Sequence, residues 1–397
     1  MNAKAKVVGR LAPSPTGLLH LGNAWASLCA WLGARAAGGR LILRIEDIDP
    51  QRSRPEYAEA LQEDLRWLGL DWDYGPGLPY FQSSRLDFYA AALEYLKGIG
   101  LAYPCFCTRK ELRDLAGAPH YSNAAADMVE AFYPGICRAL SREEREEKIR
   151  LGRVPAWRLR FEDFSSPELR RVNDLIQGCL ELTPEQAGGD FPLRRSDGVF
   201  AYQLAVTLDD LDMGVTQVVR GADILSSTPR QRYLLRLLRG FAAGGPKEGV
   251  ELGAGPECAA TGYAAPGCVA PGCAMPGHVA IGRAQARAAA ENQEDSGAES
   301  EPGPAPWDPE YAHVPLLLDH RGERLAKRHA SLSLRSLRED GASPERVLGF
   351  LAFIFGLRER DEAVAAGDLL QSFSFSRIRP EHVLLPEDAP LRLRSGA

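Results

Sequence analysis

RLAPSPTGLLHLGN, residues Arg10–Asn23, decides the fold. A short apolar run, Val7–Leu11, leads into it, and an apolar stretch ending at Gly38 and Gly39 follows it. The pattern predicts a buried strand, a Pro- and Gly-rich turn over Ala12–Gly22, and a helix from about Ala24 to Ala37 with Asn23 as its N-cap. Gly22 lets the backbone approach a ligand closely, and the N-terminus of the helix behind it favours phosphate. Any strand-to-helix turn can be Gly-rich, so the shape alone leaves an ordinary connection open.

Working outward, Arg40–Ile45 reads as a second apolar strand. Pro55–Leu68 and Ser84–Lys97 read as amphipathic helices, closed by Gly69 and Gly98. Strands alternating with helices predict an α/β domain with a parallel sheet, its first half over residues 1–104. Residues 105–190 break that rhythm with close cysteines and charged helical stretches, and are expected to form an insertion. The α/β pattern returns over 191–240, with a helix from Thr228 to Arg239. Residues 241–306 are rich in Gly, Ala and Pro with a near-repeat of APGC, and are expected to be disordered. Residues 307–397 resume order, with Ser343 and Pro344 opening an apolar helix, Glu345–Phe355. The last forty residues are less legible.

The 397 residues are 45% apolar and 25% charged, an ordinary globular composition. A net charge of −6 gives no global nucleic-acid signature, although a local basic face stays possible because acidic residues cluster at Ser141–Lys148 and Glu291–Glu301. The start of the chain has no apolar run of a signal peptide or membrane segment. Eight scattered cysteines fit a reducing, cytoplasmic setting better than a disulfide framework.

Four further strings carry chemistry. RIEDIDP, Arg44–Pro50, places three acids and an arginine at the end of a strand, where a parallel sheet faces its ligand crevice; a surface turn with capping acids is the plainer alternative. DGVFAYQLA, Asp197–Ala205, precedes Asp209, Asp210 and the strand end VVRGAD, whose Arg220 offers a guanidinium fork suited to a carboxylate. GERLAKRH, Gly322–His329, is a basic run that alone reads as a solvated loop; the apolar HVPLLL, from His313, lies upstream. CFC, Cys105–Cys107, and YPGIC, Tyr133–Cys137, supply three thiols, one short of a tetrahedral zinc site. Cys258, Cys268, Cys273 and His278 also number four, but their Gly/Pro-rich context reads as an incidental linker.

Together these strings resemble the class I aminoacyl-tRNA synthetases, in the version used by the glutamyl and glutaminyl branch. The resemblance implies a Rossmann-like catalytic domain with a parallel sheet, a zinc-bearing insertion and a short helical C-terminal part. It makes Arg10, Tyr202 and Arg220 ligands of glutamate, with Leu11, Ala12, Pro13 and Ser14 beside them and Glu46 on the ammonium group. His20, Gly22, Asn23 and Lys327 fall at ATP, and His20 and Lys327 carry the catalytic roles, Lys327 by stabilising charge on the α-phosphate. One structural zinc is implied on Cys105, Cys107 and Cys137, with Tyr133 as an oxygen ligand; His120 and Tyr121 compete for that place. Asn23 stands where the fullest form of the first motif has a second histidine, and Ala326 replaces the usual serine of the lysine loop.

A complete glutamyl-tRNA synthetase carries a large anticodon domain after that loop. Sixty-eight residues follow His329 here, too few for one. The resemblance is thus strongest to a shortened branch that attaches glutamate to the queuosine base of tRNA(Asp). It implies ATP as substrate with Mg²⁺, queuosine-bearing tRNA(Asp) and glutamate as partners, no membrane, and a monomeric enzyme. A shortened synthetase charging tRNA(Glu), or a non-catalytic sensor of glutamate or nucleotide, are the competing readings.

Overall fold

Val8–Leu11 (β1) and Arg40–Leu43 (β2) pair in parallel, Val8 opposite Arg40 and Leu11 opposite Leu43. Parallel neighbours need a long crossover, and the helix Leu21–Ala36 (α1) provides it. This computed structural model describes residues 7–108, 110–112, 133, 135–161, 167–242, 308–325 and 332–394. Helix α1 begins three residues before the expected start. His20, not Asn23, is its N-cap: the ring Nδ1 accepts from the Gly22 N–H at 3.1 Å, and Asn23 Oδ1 accepts from the His20 N–H at 3.2 Å. This is a capping box built from His and Asn instead of Ser or Thr with Glu or Gln, which is why the usual N-cap signal pointed to the wrong residue.

On the other side of β1 lies Gln217–Gly221 (β8). The Thr216 N–H donates to the Val8 carbonyl at 2.9 Å. Glu310–Val314 (β9) pairs with β8 in parallel, Arg220 opposite His313. Arg171–Asp174 (β5) meets β9 at Asp174 and Tyr311, and Gly178–Glu181 (β6) turns back antiparallel on β5. The expected parallel α/β arrangement is therefore present. Ala102–Cys105 (β3), Ala156–Leu159 (β4) and Phe191–Arg194 (β7) form a separate antiparallel sheet. The stretch 105–190 thus feeds strands to two sheets.

Helices Pro55–Trp67 (α2), Leu86–Gly98 (α3), Arg142–Arg150 (α4), Tyr202–Asp212 (α5) and Thr228–Ala242 (α6) complete the part of the chain before the Gly/Ala/Pro-rich segment. The C-terminal part carries Leu334–Glu339 (α7), Pro344–Ile354 (α8) and Ala389–Arg394 (α9). It shares the core of α1: the rings of Trp25 and Phe355 stack at 4.1 Å. A second core joins α3, β4, β7, α5 and α6. The last residues fold through short 3-10 turns at Ala366–Ser372 and Phe375–Arg377 and a two-residue strand, elements too short for periodicity to announce. From residue 243 to 306 the Gly/Ala/Pro-rich segment, with Cys258, Cys268, Cys273 and His278, lies outside the described residues. Among the described residues no helix is long and apolar enough to cross a membrane.

Candidate active site

An open α/β sheet binds ligands in a crevice at the carboxyl ends of its strands, here those of β2, β1, β8 and β9. Backbone bonds fix its floor. The Arg44 N–H donates to the Leu11 carbonyl at 2.8 Å and the Glu46 N–H to the Pro13 carbonyl at 3.0 Å, locking RIEDIDP to the turn after β1. Leu11 is buried, Ala12 and Pro13 are half-buried, and Ser14 is exposed at the rim.

The left wall is a closed set of charges. Arg44 is fully buried; its Nη2 donates to Glu46 Oε1 at 3.0 Å and its Nη1 to Asp210 Oδ1 at 2.6 Å. Arg10 donates to the Val219 carbonyl at 2.9 Å and stands 3.5 Å from Asp210. Asp209 accepts from Gln82 at 2.8 Å and Arg85 at 2.7 Å. Burial pushes the Glu46 carboxyl above its ordinary range, against the pull of Arg44 and Arg10. Only one Glu46 oxygen is engaged among the described residues, which leaves Oε2 as an acceptor for an ammonium group.

The right wall differs. Arg220, on β8, is buried at 6% exposure. Its Nε donates to His313 Nε2 at 3.0 Å, its Nη1 to Gln231 Oε1 at 2.5 Å and its Nη2 to Thr228 Oγ1 at 2.9 Å. Its guanidinium lies 5.6 Å from the Tyr311 ring centroid. Burial pulls His313 down to about 4, so the imidazole is neutral near pH 7. Among the described residues, then, every hydrogen-bond partner of Arg220 is uncharged. A guanidinium has five N–H donors; three are used, leaving one on each terminal nitrogen. Tyr202 heads α5 between the walls. Burial raises its phenol first, then the charge of Glu46, while Arg220 and Arg10 pull it down. Arg10, Glu46, Tyr202 and Arg220 thus act electrostatically on one spot.

At the N-terminus of α1, a Cβ on Gly22 would stand 3.1 Å from the His20 ring. The glycine therefore makes room for the capping histidine, a reason the sequence did not disclose. Lys327 lies outside the described residues, as do Ala326, Arg328 and His329. The residues on either side of them are placed. The Leu325 N–H donates to the Leu317 carbonyl at 3.3 Å, the Leu334 N–H to the Leu19 carbonyl at 2.8 Å, and Ser333 bridges to His20. Both ends of the lysine segment are therefore anchored beside the N-terminus of α1. Arg324 is ion-paired to Asp223, three residues after Arg220.

The third feature is the cysteine cluster. The sulfurs of Cys105, Cys107 and Cys137 lie within 4.8 Å of one another. The Tyr133 hydroxyl is 3.4 Å from Cys105 Sγ and 3.5 Å from Cys107 Sγ, and Cys107 and Cys137 are 3.6 Å apart. Zinc bonded tetrahedrally at ~2.3 Å to sulfur and ~2.0 Å to oxygen would separate its ligand atoms by about 3.5–3.8 Å, which these three separations match closely. The Cys137 thiol is held down to about 6, first by its hydrogen bond with Cys105. Asp190 braces the cluster from outside, accepting from Tyr103 and Arg138 at 2.5 Å. His120 and Tyr121 lie outside the described residues.

Sequence reading missed the supports of Arg220. Thr228 and Gln231 lie in the first turn of α6, beyond the 3-10 segment Ala222–Ser227 that follows the strand, and Asp174 comes from a different strand. Only an aspartate closing a short alternating run marked Asp174 in the sequence.

Comparison with known proteins gives the following. The family model described as tRNA synthetases class I (E and Q), catalytic domain, matches residues 6–243. The chain is 44% identical over 393 residues to a glutamyl-Q tRNA(Asp) synthetase of Nitratidesulfovibrio vulgaris, covering 98% of both chains. It is 41% identical to that of Symbiobacterium thermophilum, with the same coverage. Against glutamate–tRNA ligase 2 of Syntrophus aciditrophicus, identity is 35% over 97% of this chain and 65% of that one. Among solved structures, a glutamate-tRNA synthetase from Elizabethkingia anophelis aligns with a TM-score of 0.64 at 24% identity, over 97% of this chain and 69% of that one, a likeness of fold.

Proposed function

The chain belongs to the glutamyl-Q tRNA(Asp) synthetase family of class I synthetases, and we propose that its two-walled crevice activates glutamate with ATP and transfers it to the queuosine base of tRNA(Asp). One observation carries this reading: Arg220 is a buried guanidinium with neutral partners and one open donor on each terminal nitrogen. A carboxylate is the ligand that matches that pair of donors, in two parallel hydrogen bonds. The α-carboxylate must stay free to react, so Arg220 takes the side-chain carboxylate. Glu46 accepts the ammonium, and Tyr202 and Arg10 close the space between them.

In the first step an oxygen of the α-carboxylate attacks the α-phosphorus of ATP. The bond to the bridging oxygen breaks and pyrophosphate leaves, with Mg²⁺ accompanying the phosphates. His20, Gly22 and Asn23 frame the nucleotide, and Lys327 meets the charge gathering on the α-phosphate. In the second step a hydroxyl on the cyclopentene ring of queuosine attacks the acyl carbon and AMP departs. No side chain forms a covalent bond; the rate comes from orientation and electrostatics. Cys105, Cys107, Cys137 and Tyr133 hold one zinc, which supplies folding energy to the insertion. The enzyme is proposed to work as a monomer, and cysteines outside disulfides suit the cytoplasm.

Charging of tRNA(Glu) is not favoured, because the glutamyl-Q relatives match along nearly their whole length at higher identity. The test is ATP–pyrophosphate exchange with the pure protein and Mg²⁺. Exchange should depend on glutamate, need no tRNA and be poor with aspartate, whose missing methylene keeps it from spanning both walls. No exchange with glutamate would favour the sensor reading.

A further inference from the structure

Arg220 is aimed by a chain of buried groups that reaches β5. Asp174, His313 and Arg220 sit on three adjacent strands. Asp174 Oδ2 is 2.6 Å from His313 Nδ1, and Arg220 Nε donates to His313 Nε2 at 3.0 Å. His313 and Asp174 are both fully buried at their side chains. An arginine Nε always carries its hydrogen, so His313 Nε2 must be bare. The imidazole proton then sits on Nδ1 and is donated to Asp174. Thr228 agrees with this tautomer: its hydroxyl accepts from Arg220 Nη2 at 2.9 Å and lies 3.3 Å from the same bare Nε2.

We propose that Asp174 is a positioning residue for glutamate recognition, which holds His313 in the Nδ1–H tautomer so that the ring can accept from Arg220 and fix the direction of its fork. The proposal rests on Arg220 being the glutamate ligand. Asp174 suits the role because its other contacts are all donors. Its Oδ1 accepts from the backbone N–H groups of Ile176 and Gln177 at 2.9 Å, and the His313 N–H is shared between Oδ1 and Oδ2 at 3.1 Å each. That environment has a sharp consequence for Asp174→Asn. The N–H groups of Ile176 and Gln177 would hold the amide oxygen, leaving the amide NH₂ turned toward His313 Nδ1. The ring would then have to accept there and carry its proton on Nε2, facing the Nε–H of Arg220. Two donors would oppose each other, and Arg220 would lose its aim although every side chain remained.

Glutamine at position 313 cannot change tautomer, and its amide oxygen can accept from Arg220. The experiment is therefore a cycle: ATP–pyrophosphate exchange against glutamate and against ATP for wild type, Asp174→Asn, His313→Gln, the double variant and Arg220→Ala. Asp174→Asn should raise the KM for glutamate at least about tenfold and leave the KM for ATP within about twofold. In the His313→Gln background the same change should cost less than about threefold, a rescue that general destabilisation does not produce. An Asp174→Asn effect of equal size in both backgrounds, or one shared by ATP, overturns the proposal. Should Arg220→Ala shift glutamate KM while Asp174→Asn does not, only the tautomer device fails. Should Arg220→Ala leave glutamate KM unchanged, the reading of Arg220 as a ligand fails with it. If Asp174→Asn does not fold, ¹⁵N shifts of wild-type His313 decide instead: a protonated Nδ1 with bare Nε2 supports the proposal, and the reverse overturns it.

Discussion

Two buried arginines face the same crevice from strands on either side of β1, and the protein treats them oppositely. Arg44 is neutralised within the fold by Glu46, Asp209 and Asp210. Arg220, among the described residues, has only neutral partners. Burying a charge is costly unless it is paired, so Arg44 reads as scaffold, whereas Arg220 is the arginine proposed to take up an anion. Both are buried arginines; their partners are what distinguish them.

That contrast can be broken at either end. Arg44→Leu should have the largest effect, because it strands three carboxylates without their shared cation. A loss of about 3–5 kcal/mol in unfolding free energy is expected, read from urea denaturation, and a loss below about 1 kcal/mol would mean that the acids are neutralised by other means. The next effect is on the Arg220 side and comes from acid. The folded pKa of His313 lies at about 4, below its ordinary value of 6.5. The unfolded chain therefore takes up the proton first. Stability from this group is full above pH ~6.5 and falls by about 3 kcal/mol as pH drops toward ~4. Burial raises Asp174, but its bonds with His313 and with the backbone N–H groups of Gln177 and Ile176 hold it below its ordinary value, so it too loses stabilisation in acid. His313→Gln should flatten the melting temperature between those limits, and an unchanged slope would contradict the assignment.

Arg220→Lys should come third. It keeps the charge and loses the fork, lowering kcat/KM for glutamate by about 2–3 kcal/mol, roughly 30- to 150-fold. A near-normal KM for glutamate would return Arg220 to the scaffold. The smallest effect belongs to the insertion. Cys137→Ser should lower bound zinc from about one per chain and lower the melting temperature of the insertion, while glutamate KM moves little because the cluster shares no residue with the crevice. Full zinc retention in that variant would remove Cys137 from the ligand set.

How much of this the sequence disclosed follows from the range of each signal. The parallel α/β start was legible because VGRL and RLIL are short apolar strands around a helix that a glycine pair ends. The helix start was misplaced because a histidine cap has no place in the usual signals. Arg10, Glu46, Tyr202 and Arg220 are proposed as a group on the strength of whole motifs; composition and periodicity alone would have left Tyr202 an ordinary core tyrosine. The supports of Arg220 were out of reach. Asp174 is 139 residues from His313, and no local pattern links an aspartate at the end of one strand to a histidine in the middle of another. The cysteine cluster was visible as spacing, but the closeness of the Tyr133 hydroxyl to two sulfurs is a property of the folded chain.

The most direct test of the account is transfer itself. Protein, ATP, Mg²⁺ and labelled glutamate are incubated with tRNA(Asp) carrying queuosine, with tRNA(Asp) lacking it, and with tRNA(Glu), and label retained on each RNA is measured. The account expects label on queuosine-bearing tRNA(Asp) alone. Label on tRNA(Glu), or on tRNA(Asp) regardless of queuosine, would contradict it.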